Sequence, residues 1–101
     1  MKIHSESFAD MGIIPARCAF AEPDLAHHIR LSANRNPQIG WSELPNGTHS
    51  LVLLCHDPDA PSRADDVNQE GRAIRASLPR VEFFHWVLVD LAPFGDPISE
   101  G

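Results

Sequence analysis

The chain has 101 residues, of which 43% are hydrophobic and 22% charged, and this length allows one domain with a core of modest size. Eight Lys and Arg against 14 Asp and Glu give a net charge of −6, which argues against a protein that binds nucleic acids or anionic membrane surfaces, because both depend on an excess of basic residues. No run approaches the ~18 apolar residues of a membrane span, and the N-terminal residues lack the apolar stretch of a secretory signal, so we expect a cytoplasmic protein.

The prolines indicate the fold class, and the cysteines indicate the redox state. Nine prolines divide the chain into intervals that are mostly too short for an average helix, which indicates a loop-rich, mainly β protein. Cys18 and Cys55 are far apart and have no metal-binding spacing. In a reducing compartment we expect two buried, reduced thiols, although the sequence leaves a disulfide open.

The first third of the chain gives weak signals. Residues 16–20 alternate imperfectly between polar and apolar and predict an edge strand, whereas residues 21–29 predict a loop or a single helical turn. The pair His27-His28 suggests a metal site at first sight, but adjacent side chains point in different directions on any regular element. We therefore expect a solvated pair of histidines in a loop.

A short strand and a tight turn are predicted next. Asn36-Pro37 holds the chain extended, which places Ile39 and Trp41 on one face of a short strand. Asn46-Gly47 is a strong signal for a tight turn.

The strongest strand signal is the apolar run from Ser50 to Asp57. Both of its alternating faces are largely apolar, which is typical of a central strand covered on both sides. The run ends in Asp57, and the two prolines that follow within four residues form a stiff turn at the sheet edge. Residues 63–80 are polar and poorly periodic, and predict either a loop over the mouth of a site or a solvated insertion.

A second strand is predicted over Glu82–Leu91. Simple alternation places His85 on the same face as Phe83, Val87 and Val89. A histidine among such neighbours is either a core residue with its hydrogen bonds satisfied or the floor of a pocket.

If the two strong strands are neighbours, Asp57 or Asp59 comes close to His85. A carboxylate within about 4–6 Å favours the imidazolium form and fixes the ring tautomer. Together with backbone N–H groups of the turn, the imidazolium would bind a small oxyanion, and a spare carboxylate would meet an ammonium group. Two alternatives remain: a metal-dependent hydrolase in which Asp57, Asp59 and His85 hold a divalent ion, and a structural or partner-binding domain with a vestigial pocket.

Several motifs, in this order, resemble the phosphatidylethanolamine-binding protein family, and in particular its bacterial branch of Raf kinase inhibitor-like (YbhB/YbcL-type) proteins. The motifs are Asn36-Pro37 to Trp41, Pro45-Asn46-Gly47-Thr48, Asp57-Pro58-Asp59-Ala60-Pro61-Ser62 and His85-Trp86-Val87-Leu88-Val89-Asp90-Leu91. The resemblance covers residues 30–101. It rests mainly on the last two motifs in combination.

The resemblance implies an antiparallel β-sandwich with an anion pocket at one edge. Asp57 and Asp59 match the two pocket aspartates, His85 matches the pocket histidine, and Pro61 would shape the rim. The implied function is non-enzymatic and cofactor-free: binding of phosphate-bearing ligands such as phospholipid head groups or phosphorylated side chains, with inhibition of a kinase or protease as a role seen in the family.

Two features depart from that family. The connection over residues 63–80 is longer than in compact bacterial members. The Gly-Pro-Pro segment and the His-x-Tyr motif of the family's second half have no counterpart before Gly101. We therefore expect residues 1–101 to form the N-terminal part of an incomplete sandwich, which a complementary C-terminal chain or a homo-oligomer would complete.

Overall fold

The computed structural model describes residues 1–63, 65 and 73–101. Its elements are β1 (Lys2–His4), a 3-10 turn (Ala16–Cys18), β2 (Ala21–Asp24), β3 (His28–Leu31), β4 (Gly40–Ser42), β5 (Leu51–Pro61) and β6 (Arg80–Leu91). Within these residues the strands form three two-stranded antiparallel sheets, β1–β4, β2–β3 and β5–β6. The predicted fold class, mainly β with antiparallel sheets, is confirmed. In the described part of the chain no helix has the length and apolar character needed to cross a membrane.

The chain divides into two compact units, which are described separately. The first unit comprises Met1–His49 and Pro93–Gly101, and the second comprises Ser50–Ala92. In the first unit, β1 pairs with β4, and Ile39 just before β4 exchanges backbone hydrogen bonds with Ile98 at 3.0 and 2.9 Å. Ile39 is buried, with 8% of its surface exposed, and the short strand predicted at Trp41 is confirmed.

Two predictions for residues 16–29 are wrong. The predicted edge strand over residues 16–20 is replaced by a 3-10 turn, because the Cys18 N–H is donated to the Pro15 carbonyl and closes the chain locally. The predicted loop or helical turn over residues 21–29 is instead the β2–β3 hairpin. Its register sets Glu22 opposite Arg30 at 2.6 Å, a cross-strand ion pair that becomes visible only once the register is known.

Of the two adjacent histidines, which were predicted to lie in a loop, His27 lies in the turn between β2 and β3, whereas His28 is the first residue of β3. The Asp24 carboxylate accepts a hydrogen bond from the His27 N–H at 2.9 Å, and both histidines are exposed, as a solvated pair should be. A second turn, at Asn46-Gly47, is also confirmed: Gly47 has a φ of +82°, a conformation that glycine adopts without strain.

Both cysteines are free, but neither is buried. Cys18 is half-buried and Cys55 is exposed, so the prediction of two buried thiols is wrong. The face of β5 on which Cys55 lies is half-buried at Leu53 but exposed at Cys55, in the middle of the strand.

The second unit is built on the β5–β6 hairpin, which confirms that the two strong strands are neighbours. Each strand is longer than predicted, by several residues at the Pro61 end of β5 and by two at the Arg80 end of β6. The ladder has three irregularities, between Leu51 and Leu53, between Cys55 and His56, and between Asp57 and Ala60. The Ser62 N–H then bonds the Pro79 carbonyl at 3.0 Å, which holds the two strand ends together.

The two faces of this hairpin differ in burial. Leu51 and Leu53 on one face are half-buried, whereas Val52 and Leu54 on the other are 60% and 51% exposed. The prediction of a strand covered on both sides is therefore wrong for the described residues. Of the predicted loop over residues 63–80, residues 64 and 66–72 lie outside the described residues, residues 73–79 contain no helix or strand, and Arg80 is the first residue of β6.

Candidate functional site

The site predicted from the sequence lies where the β5–β6 ladder is irregular. Cys55 pairs with Trp86 while the next residue, His56, pairs with Phe84, so His85 is an extra residue bulged out of β6. On the opposite strand, Asp57 pairs with Phe83 but Ala60 pairs with Val81, so the ladder skips Pro58 and Asp59. Proline cannot donate a ladder hydrogen bond, which explains why pairing fails there.

These bulges bring Asp57 and His85 together. Nε2 of His85 lies 3.0 Å from Oδ2 of Asp57, and the two side chains are 54% and 37% exposed, respectively. The edge of the His85 ring packs against Phe83, with 4.9 Å between the ring centroids. A charged partner on one side and an aromatic ring on the other fix the orientation of the imidazole.

The face predicted for His85 is partly wrong. Alternation placed it with Phe83, Val87 and Val89, and it does lie beside Phe83. The bulge at His85 reverses the alternation beyond it, so Val87 pairs with Leu54 on the face opposite to Asp57. The sequence of β6 alone does not predict this reversal, because the bulge depends on how β6 pairs with β5.

Asp57 has a second hydrogen bond that stiffens the turn. Its Oδ1 accepts the N–H of Asp59 at 2.8 Å, which closes an Asx turn around Pro58. The pKa of Asp57 is held below its ordinary value, first by the hydrogen bond with His85 and next by the Asp59 N–H. The carboxylate is therefore ionised at neutral pH, and both of its oxygens have partners within the protein.

Asp59 and Pro61 lie in the last part of β5, where a stiff turn was predicted and the structure has a bulged strand, but their surroundings differ. The Asp59 side chain is exposed, and this residue contacts Asp57 through its backbone. Pro61 is half-buried and pairs with Arg80 at the end of the hairpin. The structure thus brings Asp57 and His85 into direct contact, with Asp59 beside them and Pro61 two residues further along β5.

The turn offers fewer backbone donors than the sequence suggested. Pro58 and Pro61 have no N–H, the Asp59 N–H is taken by Asp57, and the Ser62 N–H is taken by Pro79. Two of the N–H groups that were expected to help bind an oxyanion therefore already have partners within the protein. The imidazole of His85 is a side-chain donor that the described part of the site can direct toward an anion.

A metal centre is not supported either. Among the residues that the structure describes, no group of three or more His, Cys, Asp and Glu side chains is arranged to hold a metal ion. One oxygen of Asp57 already faces the imidazole, and the other faces a backbone N–H. The metal-dependent hydrolase considered from the sequence therefore has no structural basis in these residues.

A cavity that the sequence did not suggest lies in the first unit. It has a volume of about 380 Å³, and Trp41 forms part of its wall, with the indole Nε1 donating to the Pro93 carbonyl at 2.7 Å. Its lining residues are His4, Trp41, Ser42, Glu43, Leu44, Pro93, Phe94, Gly95 and Pro97. None of the four predicted site residues lines it, and it has no cluster of charges comparable to the Asp57 and His85 pair.

Comparison with known proteins identifies the family. The family model for phosphatidylethanolamine-binding protein matches residues 4–101. The UPF0098 protein of Methanothermobacter thermautotrophicus is 26% identical over 100 residues, which are 99% of this chain and 48% of that protein. The UPF0098 protein YbhB of Escherichia coli is 33% identical over 58 residues, covering 57% of this chain and 26% of that protein. A UPF0098 protein of Aquifex aeolicus is 36% identical over 56 residues, covering 55% of this chain and 22% of that protein.

No solved structure matches the chain significantly. The chain spans about half the length of the archaeal relative and about a quarter of the two bacterial ones. Because the family model covers nearly the whole sequence, the chain belongs to the phosphatidylethanolamine-binding protein family, and its relatives are of the YbhB type, as the sequence motifs predicted. How much of a family domain residues 1–101 represent stays a prediction.

Proposed function

We propose that this member of the phosphatidylethanolamine-binding protein family is a non-catalytic binder of small phosphate-bearing ligands, with His85 as the donor to a phosphate oxygen. The observation that carries the proposal is the 3.0 Å contact between His85 and Asp57 at the bulged end of the hairpin. The carboxylate accepts Nε2–H and holds the ring in one orientation, and Nδ1–H of the imidazolium form is then the donor to a phosphate oxygen. The exposure of both side chains gives a ligand direct access.

The charges beside His85 favour a zwitterionic ligand over a bare anion. Asp57 is ionised and paired with the imidazole, whereas the Asp59 carboxylate is exposed to solvent. A solvent-exposed carboxylate repels a phosphate but attracts an ammonium group on the same molecule. A phosphate that carries an ammonium a few bonds away, as in phosphoethanolamine, satisfies both His85 and Asp59.

The proposal extends to a protein target and to the cellular location. A role as an inhibitor of a kinase or protease would use the same donor to hold a phosphorylated side chain. A cytoplasmic location fits two free cysteines, which a reducing compartment would keep as thiols.

Calorimetric titration tests the proposal directly. Inorganic phosphate, phosphoethanolamine and phosphoserine are titrated into the chain in the presence of a chelator. We expect saturable binding, with phosphoethanolamine binding more tightly than phosphate. His85→Ala should weaken binding about tenfold or more, because a hydrogen bond to a charged group contributes about 1.5–3 kcal/mol.

The chain offers a matched control for that variant. His56 lies on the same hairpin, stacked on Phe84 with 4.8 Å between ring centroids, on the face away from Asp57. His56→Ala should leave the affinity unchanged, and Asp59→Asn should remove the preference for phosphoethanolamine over phosphate. Absence of heat with all three ligands would refute the proposal and favour a structural domain with a vestigial pocket. Equal losses in His85→Ala and His56→Ala would refute the assignment of His85.

A further inference from the structure

The cavity in the first unit takes no part in the function proposed above. Its volume of about 380 Å³ lies within the range typical of small-molecule pockets. Its walls come from two places in the chain: the β1–β4 pair with the residues just after β4, and the segment 93–97. All of these residues belong to the first unit, whereas Asp57 and His85 belong to the second. The cavity is therefore a candidate site of its own.

Two anchors fix the position of the segment 93–97. The indole Nε1 of Trp41 donates to the Pro93 carbonyl at 2.7 Å, and Ile39 and Ile98 exchange backbone hydrogen bonds at 3.0 and 2.9 Å. The segment is thus held at both of its ends, and the Trp41 ring has a fixed orientation. Walls held in this way lose little freedom when a ligand enters, so the cavity is largely pre-formed.

The missing side chain at Gly40 makes room for another wall of the cavity. Gly40 stands opposite His4 in the β1–β4 register, and a Cβ at this position would collide with the His4 imidazole. The imidazole therefore lies against the backbone of β4, and it lines the cavity as Trp41 does.

The lining of the cavity favours a cation over an anion. The described residues that line it include two aromatic rings, Trp41 and Phe94, and the acidic side chain of Glu43, but no lysine or arginine. The faces of aromatic rings carry negative electrostatic potential and attract cations. Phe94 is 85% exposed, so its ring is open to a ligand. Two aromatic rings and a carboxylate in one cavity suit an organic ammonium ion, above all a quaternary one.

The surroundings of Glu43 support this assignment. The Nζ of Lys2 lies 3.2 Å from Oε2 of Glu43, with the two side chains 73% and 62% exposed, so the carboxylate already meets an ammonium group. An ion pair that is so exposed is weak, and a ligand cation can replace Lys2. Glu43 also has a φ of +55°, a left-handed conformation that is uncommon outside glycine and occurs preferentially at functional sites.

We propose that the cavity lined by Trp41, Glu43 and Phe94 binds a small organic ammonium ion, such as one that carries a trimethylammonium group. The aromatic rings contact the cation, the Glu43 carboxylate balances its charge, and Lys2 competes with the ligand for this carboxylate. The site is separate from the phosphate site proposed above, since the two lie in different units.

Fluorescence of Trp41 tests the proposal in a Trp86→Phe background, where Trp41 is the only tryptophan. Tetramethylammonium chloride is the probe, with sodium chloride added to keep the ionic strength constant, and tert-butanol is an uncharged molecule of similar size. We expect a saturable change in Trp41 emission with tetramethylammonium and much weaker binding of tert-butanol, which has no charge to meet the rings and the carboxylate. Shifts of the Trp41 Nε1–H signal in NMR spectra of the unsubstituted chain give the same comparison without any variant.

Variants locate the cation in this cavity. Glu43→Gln and Phe94→Leu should each weaken the binding of tetramethylammonium about twofold to fivefold, the range for one exposed ion pair or one cation–π contact. Lys2→Met should strengthen it by a similar factor, because the competing ammonium is removed, and should have no effect in a Glu43→Gln background. Glu6→Gln and Phe20→Leu are the matched controls and should leave the affinity unchanged, since both residues are exposed, belong to the first unit and do not line the cavity.

Three results would overturn the inference. The first is the lack of a saturable response to tetramethylammonium in both fluorescence and NMR spectra. The second is binding of tert-butanol as tight as that of tetramethylammonium, which would make the cavity an apolar pocket without preference for a cation. The third is an affinity that Glu43→Gln lowers no more than Glu6→Gln does, or that Lys2→Met fails to raise.

Discussion

Ile39→Ala should destabilise the first unit strongly, because Ile39 is its buried apolar residue and stands at the bridge to Ile98. The change removes three carbon groups from a side chain that is 8% exposed, which at about 0.8 kcal/mol per buried group costs roughly 2.4 kcal/mol. A residual cavity adds a smaller amount, so we expect a loss of about 2–3 kcal/mol. For a folded unit of this size that corresponds to a fall in Tm of roughly 10–20 °C.

The assay is urea unfolding followed by tryptophan fluorescence in a Trp86→Phe background, so that Trp41 reports on the first unit alone. Ile39→Val should show an intermediate loss of about 0.5–1.5 kcal/mol. Ile13→Ala is the control, because Ile13 is 94% exposed and surface changes usually stay within about 0.5 kcal/mol. Equal effects of Ile39→Ala and Ile13→Ala would refute the claim that Ile39 anchors this unit.

Two further predictions concern the behaviour of two carboxylates, Asp57 and Glu100, at low pH. The pKa of Asp57 is lower in the folded chain than its ordinary value of 3.8, so its contribution to stability is complete above that value and is lost as pH falls through the folded-state pKa. Asp57→Asn should therefore reduce the decrease in the urea unfolding midpoint between about pH 6 and about pH 2. An unchanged pH dependence of the midpoint would contradict this. The pKa of Glu100 is lowered from 4.5 to about 2 by hydrogen bonds from Arg17 and Ser7, so its contribution is lost between those two values. A carboxyl NMR titration should place Glu100 near the lower value, and titration near 4.5 would show that the ion pair is absent in solution.

The β5–β6 hairpin was the most predictable part of the fold. Residues 51–54 and 86–89 are apolar without interruption and rich in valine and leucine, a pattern that few structures other than strands accommodate. The tight turn at Asn46-Gly47 was equally predictable, because glycine alone adopts the observed backbone conformation without strain.

The first unit was less predictable because its elements are short and held by contacts distant in sequence. β2 contains a proline and lasts four residues, so its propensity argues against a strand. The strand forms through four paired positions with β3, among them Glu22 with Arg30, and these pairings exist only in the observed register. The same holds for Ser7 and Arg17, which meet Glu100 across more than 80 residues of sequence.

Within the candidate site, one contact was predictable from the sequence, whereas the faces of the neighbouring residues were not. The proximity of Asp57 and His85 follows from antiparallel pairing of two strong strands, and the sequence motifs were enough to predict it. The side on which each neighbour lies was not predictable, because bulges at His85 and at Pro58-Asp59 break the alternation that sequence reasoning assumes.

The ligand binding that we propose for this end of the hairpin depends on the same bulges. A residue in a regular ladder has its backbone committed to its partner, and its side chain is fixed to one face. His85 and Asp59 lie where the ladder skips a pairing, so each is aimed by local contacts instead: the imidazole by Asp57 and Phe83, and the turn by the bond from the Asp59 N–H to Asp57. In the proposed binding mode, Asp57 positions the imidazole, and the ligand contacts fall to His85 and Asp59.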